Sequence, residues 1–182
     1  MSNKNDCTHS DQELAELIKQ NDTEAFRELY YKYYRNLIHY GWHWTRSMDS
    51  SRDLVQETFT RVWINRNRLN PEKSIKAYLY KTIHNLIINQ NKLHSSKNVS
   101  LDDDNESRSQ SPNDDRELTI DVQTAVNNLP EKLRTVFLLS RIEGFSYSEI
   151  AVICSISQKA VEKRMSRAFD TLRKLFSEKY FG

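Results

Sequence analysis

The sequence SYSEIAVICSISQKAVEKRMSR, residues 146–167, decides how the carboxyl-terminal part of this chain folds. Ser146 and Glu149 have the spacing of a capping box, which predicts the start of a helix. A short turn from Cys154 to Ile156 leads to Ser157, whose hydroxyl is suited to cap a second helix. A short helix, a tight turn and a longer basic helix are together typical of a helix-turn-helix.

The second helix of this motif has a polar, mostly basic face. The small Ala151 lies where the two helices would cross, and apolar side chains such as Val161 would fill the space between them. Lys and Arg bind phosphates, while Gln, Arg or Glu reach base edges in the major groove of DNA. The pattern favours DNA binding; the alternative is an ordinary helical hairpin with a solvated charged face. The exposed residues would be Gln158, Lys159, Glu162, Lys163, Arg164, Ser166 and Arg167.

Around this motif, the composition indicates a chain built from helices. Only 3 Gly and 3 Pro occur among 182 residues, which is few for a protein made of hairpins and tight turns. With 37% hydrophobic residues, two small helical cores are favoured over one large core. We predict an all-α fold with two small helical domains, residues 11–95 and 118–177, joined by a flexible acidic linker, residues 96–117, and preceded by a disordered tail, residues 1–10.

The net charge of +2 is the sum of three unlike segments. Residues 1–100 carry 15 basic and 11 acidic residues, residues 101–117 carry 2 and 7, and residues 118–182 carry 10 and 7. The acidic segment lies in a stretch rich in Ser, Asn and Asp with almost nothing to bury. Such a composition is typical of a flexible linker.

The sequence shows no sign of export or membrane insertion. No apolar run approaches the ~20 residues of a membrane span, and the polar residues 1–10 lack the apolar stretch of a signal peptide. Cys7 and Cys154 are far apart and are interpreted as free thiols in a reducing compartment. We therefore expect a cytoplasmic protein with no direct membrane insertion.

The helices of both domains have start and stop signals. In the first domain we predict four helices, with Asp22 suited to cap the second and a polar connection over residues 45–51 before the third. Asn70 and Pro71 interrupt the pattern before the fourth helix. Further signals are Ser74 as a cap of the fourth helix, Pro130 in the first turn of a helix in the second domain, and Gly144 at that helix's end.

Two pairs of side chains in the first domain have the spacing of partial metal sites. Asp53 and Glu57 share a helix face at i and i+4, but no His or Cys has matching spacing; a polar surface that docks a protein, or plain solvation, is the alternative. His39 and His43 would supply half a metal site, or are incidental in an aromatic-rich helix. A Gly-rich phosphate loop and a nucleophile–base motif are both missing. We predict no metal, no cofactor and no catalytic residue.

Residues 66–97 are basic and contain interleaved aromatic and amide side chains. Seven Lys or Arg stand against one acidic residue, Glu72. Phosphate attraction, base stacking and hydrogen bonds to base edges suit single-stranded or unpaired nucleic acid. The alternative is that Tyr78 belongs to the core and the lysines only increase solubility.

The two blocks together resemble the extracytoplasmic-function (ECF) sigma factors, small members of the sigma-70 family. DLVQETFTRVW, residues 53–63, is similar to region 2.2, and AYLYKTIHNL, residues 77–86, resembles regions 2.3 and 2.4. LPE, residues 129–131, followed by RIEGFSYSEIA, residues 141–151, is similar to region 4. The resemblance covers about residues 14–176.

This resemblance implies a bacterial transcription initiation factor that binds core RNA polymerase, recognises the minus-thirty-five and minus-ten promoter elements, and promotes DNA melting. The partners would be the clamp helices of the largest polymerase subunit, the flap of the second-largest subunit, and promoter DNA as duplex and as non-template single strand. An anti-sigma factor, often membrane-bound in this family, would cover the docking surfaces. The acidic linker would thread a polymerase channel otherwise used by RNA.

The resemblance also assigns roles to individual residues. Core polymerase would be bound by Asp53, Gln56, Glu57, Phe59 and Trp63. The minus-ten strand would be bound by Arg68, Asn70, Lys73, Lys76, Tyr78, Lys81, Asn85 and Asn89. The minus-thirty-five duplex would be bound by Ser157, Gln158, Lys159, Glu162, Lys163, Arg164 and Arg167.

Two residues depart from the family pattern. Ser155 stands where many relatives have Gly in the turn, which Ser adopts only with strain. Glu162 stands where relatives often carry a basic residue facing DNA. Because Glu can accept a hydrogen bond from cytosine N4, the promoter sequence cannot be inferred from relatives.

Two other functions stay open. One is a helix-turn-helix repressor or activator, and the other is a metal-dependent nucleic-acid-processing enzyme using Asp53 and Glu57.

Overall fold

The computed structural model describes the backbone of residues 9–97 and 123–181, and the side chains of residues 9–91 and 123–176. The chain divides into two compact units, with the boundary after His94 near the end of α4. The first contains α1 (Asp11–Lys19), α2 (Thr23–Thr45), α3 (Met48–Ile64), a 3-10 turn (Arg66–Arg68) and α4 (Ile75–Lys97). The second contains α5 (described over 123–127), α6 (Glu131–Phe137), a π-helical turn (Leu138–Ile142), α7 (Tyr147–Cys154) and α8 (Gln158–Phe181).

The predicted all-α fold with two helical domains is confirmed, since every regular element of the described residues is a helix. The exact domain boundaries and the flexible linker stay predictions, because residues 98–122 lie outside the described part of the chain. Residues 1–8 of the predicted tail also lie outside it.

The amino-terminal residues His9 and Ser10 are held by α1 and α2. The Ser10 hydroxyl accepts from the Glu13 backbone N–H at 3.3 Å, and the Glu13 carboxylate accepts the Ser10 N–H at 2.7 Å, which lowers the pKa of Glu13. The His9 N–H donates to Glu28 at 3.0 Å, and its Nδ1 lies 2.8 Å from the same carboxylate. The prediction of a disordered tail is therefore wrong for these two residues, because a capping box and α2 bind their polar groups.

Two small residues allow α2 and α3 to pack closely. A Cβ atom on Gly41 would lie 3.4 Å from the Cβ of the fully buried Ser51. The Ser51 hydroxyl lies 2.9 Å from Thr45 Oγ1. The connection between the helices is shorter than the predicted residues 45–51, because Ser47 caps α3 by accepting from the backbone N–H of residue 50 at 3.3 Å.

Aliphatic side chains of all four helices form the core of the first unit. Residues exposed by no more than 2% include Leu14, Ile18, Leu29, Leu37, Leu54, Val55, Leu79 and Ile83. This core fixes α3 and α4 side by side, with their polar faces outward.

In the second unit, α6 continues directly into the π-helical turn, an element that the sequence did not predict. The Glu143 N–H donates to the Leu138 carbonyl at 3.1 Å, five residues back. Gly144 then ends the helix at φ +74°, as its position predicted. The predicted capping box of α7 is present: the Ser146 hydroxyl accepts the Glu149 N–H at 3.3 Å, and Glu149 accepts the Ser146 N–H at 2.9 Å.

Candidate nucleic-acid and protein interfaces

A tight turn at Ser155 joins α7 to α8. Ser155 is left-handed, with φ 54° and ψ 48°, as expected for the turn position that glycine usually occupies. The Ile156 N–H donates a hydrogen bond to the Ala151 carbonyl at 3.0 Å. The Ser157 hydroxyl caps α8 by accepting from the backbone N–H of residue 160 at 3.2 Å. Ile150, Ile153, Val161, Met165 and Ala168 are at most 2% exposed and fix the two helices as a helix-turn-helix.

The outward side of α8 carries most of the residues predicted to meet duplex DNA. Gln158, Lys159, Glu162, Lys163 and Arg167 are exposed. At 3.6 residues per turn they spread over the side opposite Val161 and Met165. A feature that the sequence analysis missed is a hydrogen bond from Gln158 Nε2 to Glu162 Oε1, 3.4 Å long.

Two other α8 side chains contact neighbouring elements of the second unit, and one of them, Arg164, lies differently from the prediction. Arg164 is half-buried, and its charge acts on the Cys154 thiol of α7, so it lies on a flank of α8 rather than on the outermost face. Phe169 is 39% exposed; its ring packs on Phe137 at 5.9 Å and under the Arg141 guanidinium at 5.1 Å.

A shallow groove of about 340 Å³ runs between α3 and α4 in the first unit. Asp53, Gln56 and Glu57 line it and are all exposed. Leu54, Thr60, Leu86 and Gln90 complete its lining. The sequence alone does not assign Leu86 and Gln90 to this groove, because they come from another helix and only packing brings them together with α3.

Phe59 and Trp63, the two aromatic residues also assigned to polymerase binding, pack against α2. Phe59 is 3% exposed and packs on Tyr30 of α2 at 4.8 Å between ring centroids. Trp63 packs on Phe26 at 4.9 Å and under the Arg66 guanidinium at 4.5 Å. A direct contact of Phe59 with a partner is therefore excluded by burial; this residue supports α3 from behind.

The loop before α4 presents a short basic segment. Arg68, Asn70 and Lys73 are exposed, while Leu69 is 6% exposed and anchors the loop. The Asn70 side-chain oxygen accepts the N–H of Glu72 at 3.0 Å, so this residue also shapes the turn.

One face of α4 brings together four of the residues predicted to meet single-stranded DNA. By helical spacing, Tyr78, Lys81, Asn85 and Asn89 share this face, with both asparagines exposed. Tyr78 and Lys81 are half-buried. Lys76 does not belong to the face, because it lies roughly half a turn away around the helix.

The comparisons with known proteins match both units. The family model "Sigma-70 region 2" matches residues 29–95, and "Sigma-70, region 4" matches residues 119–172. The RNA polymerase sigma-H factor of Pseudomonas aeruginosa is 25% identical, with 90% of this chain and 92% of that protein covered. The ECF RNA polymerase sigma-E factor of Haemophilus influenzae is 27% identical, with coverages of 87% and 91%.

The chain is an ECF sigma factor of the sigma-70 family. It is thus a transcription initiation factor that recognises promoters, and not an enzyme. A solved structure of similar fold is the sigma factor RpoE in complex with the anti-sigma factor NepR from Bartonella quintana, with a TM-score of 0.66, 24% identity, and coverage of 84% of this chain and 96% of that one.

Neither partial metal site of this sigma factor gains a further ligand. Among the side chains that the structure describes, no group of three or more His, Cys, Asp or Glu is placed to hold a metal ion. The His39 and His43 rings pack edge to face at 4.7 Å between centroids. None of the described helices is long and apolar enough to span a membrane.

Proposed function

We propose that this sigma factor divides initiation among three surfaces. The groove of Asp53, Gln56 and Glu57 binds core polymerase, the α4 face with its preceding loop holds the opened minus-ten strand, and the outward side of α8 reads the minus-thirty-five duplex. The observation that carries the proposal is that Asp53, Gln56 and Glu57 form an exposed acidic and amide row on α3, whereas exposed basic residues lie in the loop before α4 and on the outward side of α8.

The groove suits a protein partner better than DNA. Its carboxylates would be repelled by phosphates and attract cationic side chains. The exposed Gln56 amide adds donors and acceptors, while Leu86 provides apolar contact. Because Asp53, Gln56 and Glu57 also match the docking positions of region 2.2, we assign them to the clamp helices of the largest polymerase subunit. Trp63, which is half-buried near the end of α3, keeps its assigned role at the edge of this polymerase-binding surface.

The α4 face has the chemistry of a single-strand site. Lys81 and the loop residues Arg68 and Lys73 attract phosphates, Tyr78 provides a ring for stacking, and Asn85 and Asn89 provide edge hydrogen bonds. Binding an extruded base offsets unstacking, which costs a few kcal/mol. This face therefore favours the melted state of the minus-ten element.

The remaining partners follow from family membership and charge. The second unit binds duplex DNA and the flap of the second-largest polymerase subunit, and the acidic linker occupies a positively charged polymerase channel. An anti-sigma factor in the cytoplasm covers the docking surfaces until a signal releases it.

Separate assays of polymerase binding and promoter recognition test this division. Asp53→Ala and Gln56→Ala should weaken the complex with core polymerase, while Lys163→Ala and Arg167→Ala should weaken promoter recognition at unchanged polymerase binding. Asp49→Ala is a matched control, because Asp49 is 90% exposed on α3 and pairs locally with Arg52. Equal loss of both activities in all four variants would contradict the proposal. Tight sequence-specific binding by the chain alone would instead favour a repressor or activator.

A further inference from the structure

The recognition helix α8 carries a carboxylate in the middle of its basic surface. Glu162 is exposed one turn after Gln158, the first residue of the helix. Its neighbours Lys159 and Lys163 are also exposed, yet neither lies within ion-pair distance of it among the described residues. The contact that the structure gives Glu162 is instead the 3.4 Å hydrogen bond from Gln158 Nε2.

We propose that Glu162, held by Gln158, is a specificity residue that accepts a hydrogen bond from the N4 amino group of a cytosine in the minus-thirty-five element. This inference rests on the proposed role of α8 in reading that element. It adds which base the helix selects and which side chain selects it.

The position of Glu162 places it where base edges are read. The amino-terminal residues of a recognition helix contact bases in the major groove, and Glu162 follows the Ser157 cap by about one and a half turns. Gln158 binds Oε1, and no described contact uses the other carboxylate oxygen, Oε2, so Oε2 is available to accept from a donor. In the major groove, cytosine N4 is the donor that Glu characteristically accepts from.

Electrostatics makes this residue selective. A carboxylate near DNA is repelled by phosphates, so Glu162 weakens binding to every sequence alike. Only a base that donates to it offsets that loss. Cytosine N4 donates with no acceptor beside it on the same base, adenine N6 donates next to the acceptor N7, and guanine O6 and N7 and thymine O4 are acceptors that add repulsion. Lys159 and Lys163 supply the phosphate contacts that keep the helix on DNA while Glu162 discriminates.

The Gln158 partner acts as a positioning residue. A free glutamate side chain samples several rotamers, and a hydrogen bond one turn away along the helix restricts it. We therefore expect Gln158→Ala to reduce the cytosine preference without removing it, because the carboxylate remains but is less well oriented.

A promoter library with a randomised minus-thirty-five region tests the proposal. Holoenzyme reconstituted from the full chain and core polymerase of the source bacterium would be used to select transcribed sequences. The wild-type chain should require a C·G pair at one position, and Glu162→Ala and Glu162→Gln should each reduce that preference about tenfold. Base preferences at the other positions of the minus-thirty-five element should stay unchanged.

Two control variants on the same helix separate specificity from charge. Asp170→Asn removes another exposed carboxylate of α8, two turns further on, and should leave the preference unchanged. Lys159→Ala should weaken selection of all sequences about equally. Circular dichroism should show all variants folded, since the substituted side chains are exposed.

The outcomes distinguish this inference from the proposed function. If the wild-type holoenzyme transcribes no library member, the proposed function itself fails. If it selects promoters but Glu162→Ala keeps every preference, or improves binding to all sequences equally, Glu162 is only a repulsive charge and the inference is overturned.

Discussion

The Tyr40 hydroxyl and His84 Nδ1 lie 3.3 Å apart in the interior of the first unit. Tyr40 is 1% exposed and His84 5% exposed. The Tyr40 ring also packs on Tyr80 at 5.4 Å between centroids. This polar contact joins α2 to α4, and α4 carries the face assigned to the minus-ten strand. The stability of that contact therefore bears on function.

Replacing Tyr40 with Phe should destabilise the first unit by about 1 kcal/mol, because a buried hydrogen bond is lost while the ring packing stays. Denaturant unfolding of the full chain measures the change. Tyr31→Phe is the matched control, since Tyr31 on the same helix is 66% exposed. Tyr40→Phe should have a lower free energy of unfolding than Tyr31→Phe, and equal values for the two variants would contradict the prediction.

Substitutions at Gly144 and Ser155, which are both left-handed, should have opposite effects. Gly144 has φ +74° and no atom within 4 Å of an added Cβ, so Gly144→Ala should cost about 1 kcal/mol from backbone strain alone. Ser155→Gly should raise stability by about 0.5 kcal/mol by relieving strain at φ 54°.

Thermal unfolding of the full chain measures both changes at Gly144 and Ser155. Ser148→Gly is the control, because it introduces the same residue into ordinary helical backbone of α7 and should lower stability. A loss of stability in Ser155→Gly comparable to that control would show that the turn is not strained.

The pair of His9 and Glu28 should make stability depend on pH. The hydrogen bond to Glu28 raises the pKa of His9 above its ordinary 6.5. Protonated His9 is therefore favoured in the folded chain, and its contribution is complete below pH 6.5 and is lost as the pH rises through the raised folded value. The difference in Tm between the wild type and His9→Gln should be larger at pH 5.5 than at pH 8.5. A difference that stays constant with pH would contradict this.

Cys154 should react slowly with thiol reagents. Burial raises the pKa of its thiol from 9.0 to about 11, so the reactive thiolate is about 100-fold rarer at neutral pH. In a Cys7→Ser variant, modification by a disulfide reagent at pH 8 should be at least that much slower in the folded chain than in urea. Equal rates in both states would exclude protection by burial.

Two lysines of α4 should differ in their effect on strand binding. Lys81→Ala should weaken binding of the holoenzyme to a single-stranded minus-ten oligonucleotide and lower the salt slope by about 1. Lys76→Ala should have a smaller effect, because Lys76 lies roughly half a turn from the face of Tyr78, Asn85 and Asn89. The prediction fails if Lys76→Ala weakens binding as much as Lys81→Ala does.

Local signals in the sequence were sufficient for most helix boundaries. Asp22, Ser74, Ser146 and Ser157 all cap helices as predicted. Such caps depend on residues within a few positions, so they can be recognised without knowing the tertiary fold. The π-helical turn at Leu138–Ile142 has no comparable local signal and was missed.

The surfaces were harder to predict than the helices. Spacing placed Asp53 and Glu57 on one face of α3, and the family resemblance added Gln56; all three line one groove. The family resemblance also assigned Phe59 to this surface, but α2 buries its ring. Contacts between side chains of different helices depend on packing between segments that are far apart in the chain.

By itself, the sequence determined the two all-helical domains, the helix-turn-helix and the separation of charge between helices. These follow from periodicity, capping and composition, which act over a few residues. Only the tertiary structure decided that Arg164 lies on a flank beside Cys154 and that Leu86 and Gln90 contribute to the α3 groove. Burial and side-chain contacts depend on how the packed helices are rotated about their axes, and a periodic pattern fixes that rotation only to within part of a turn.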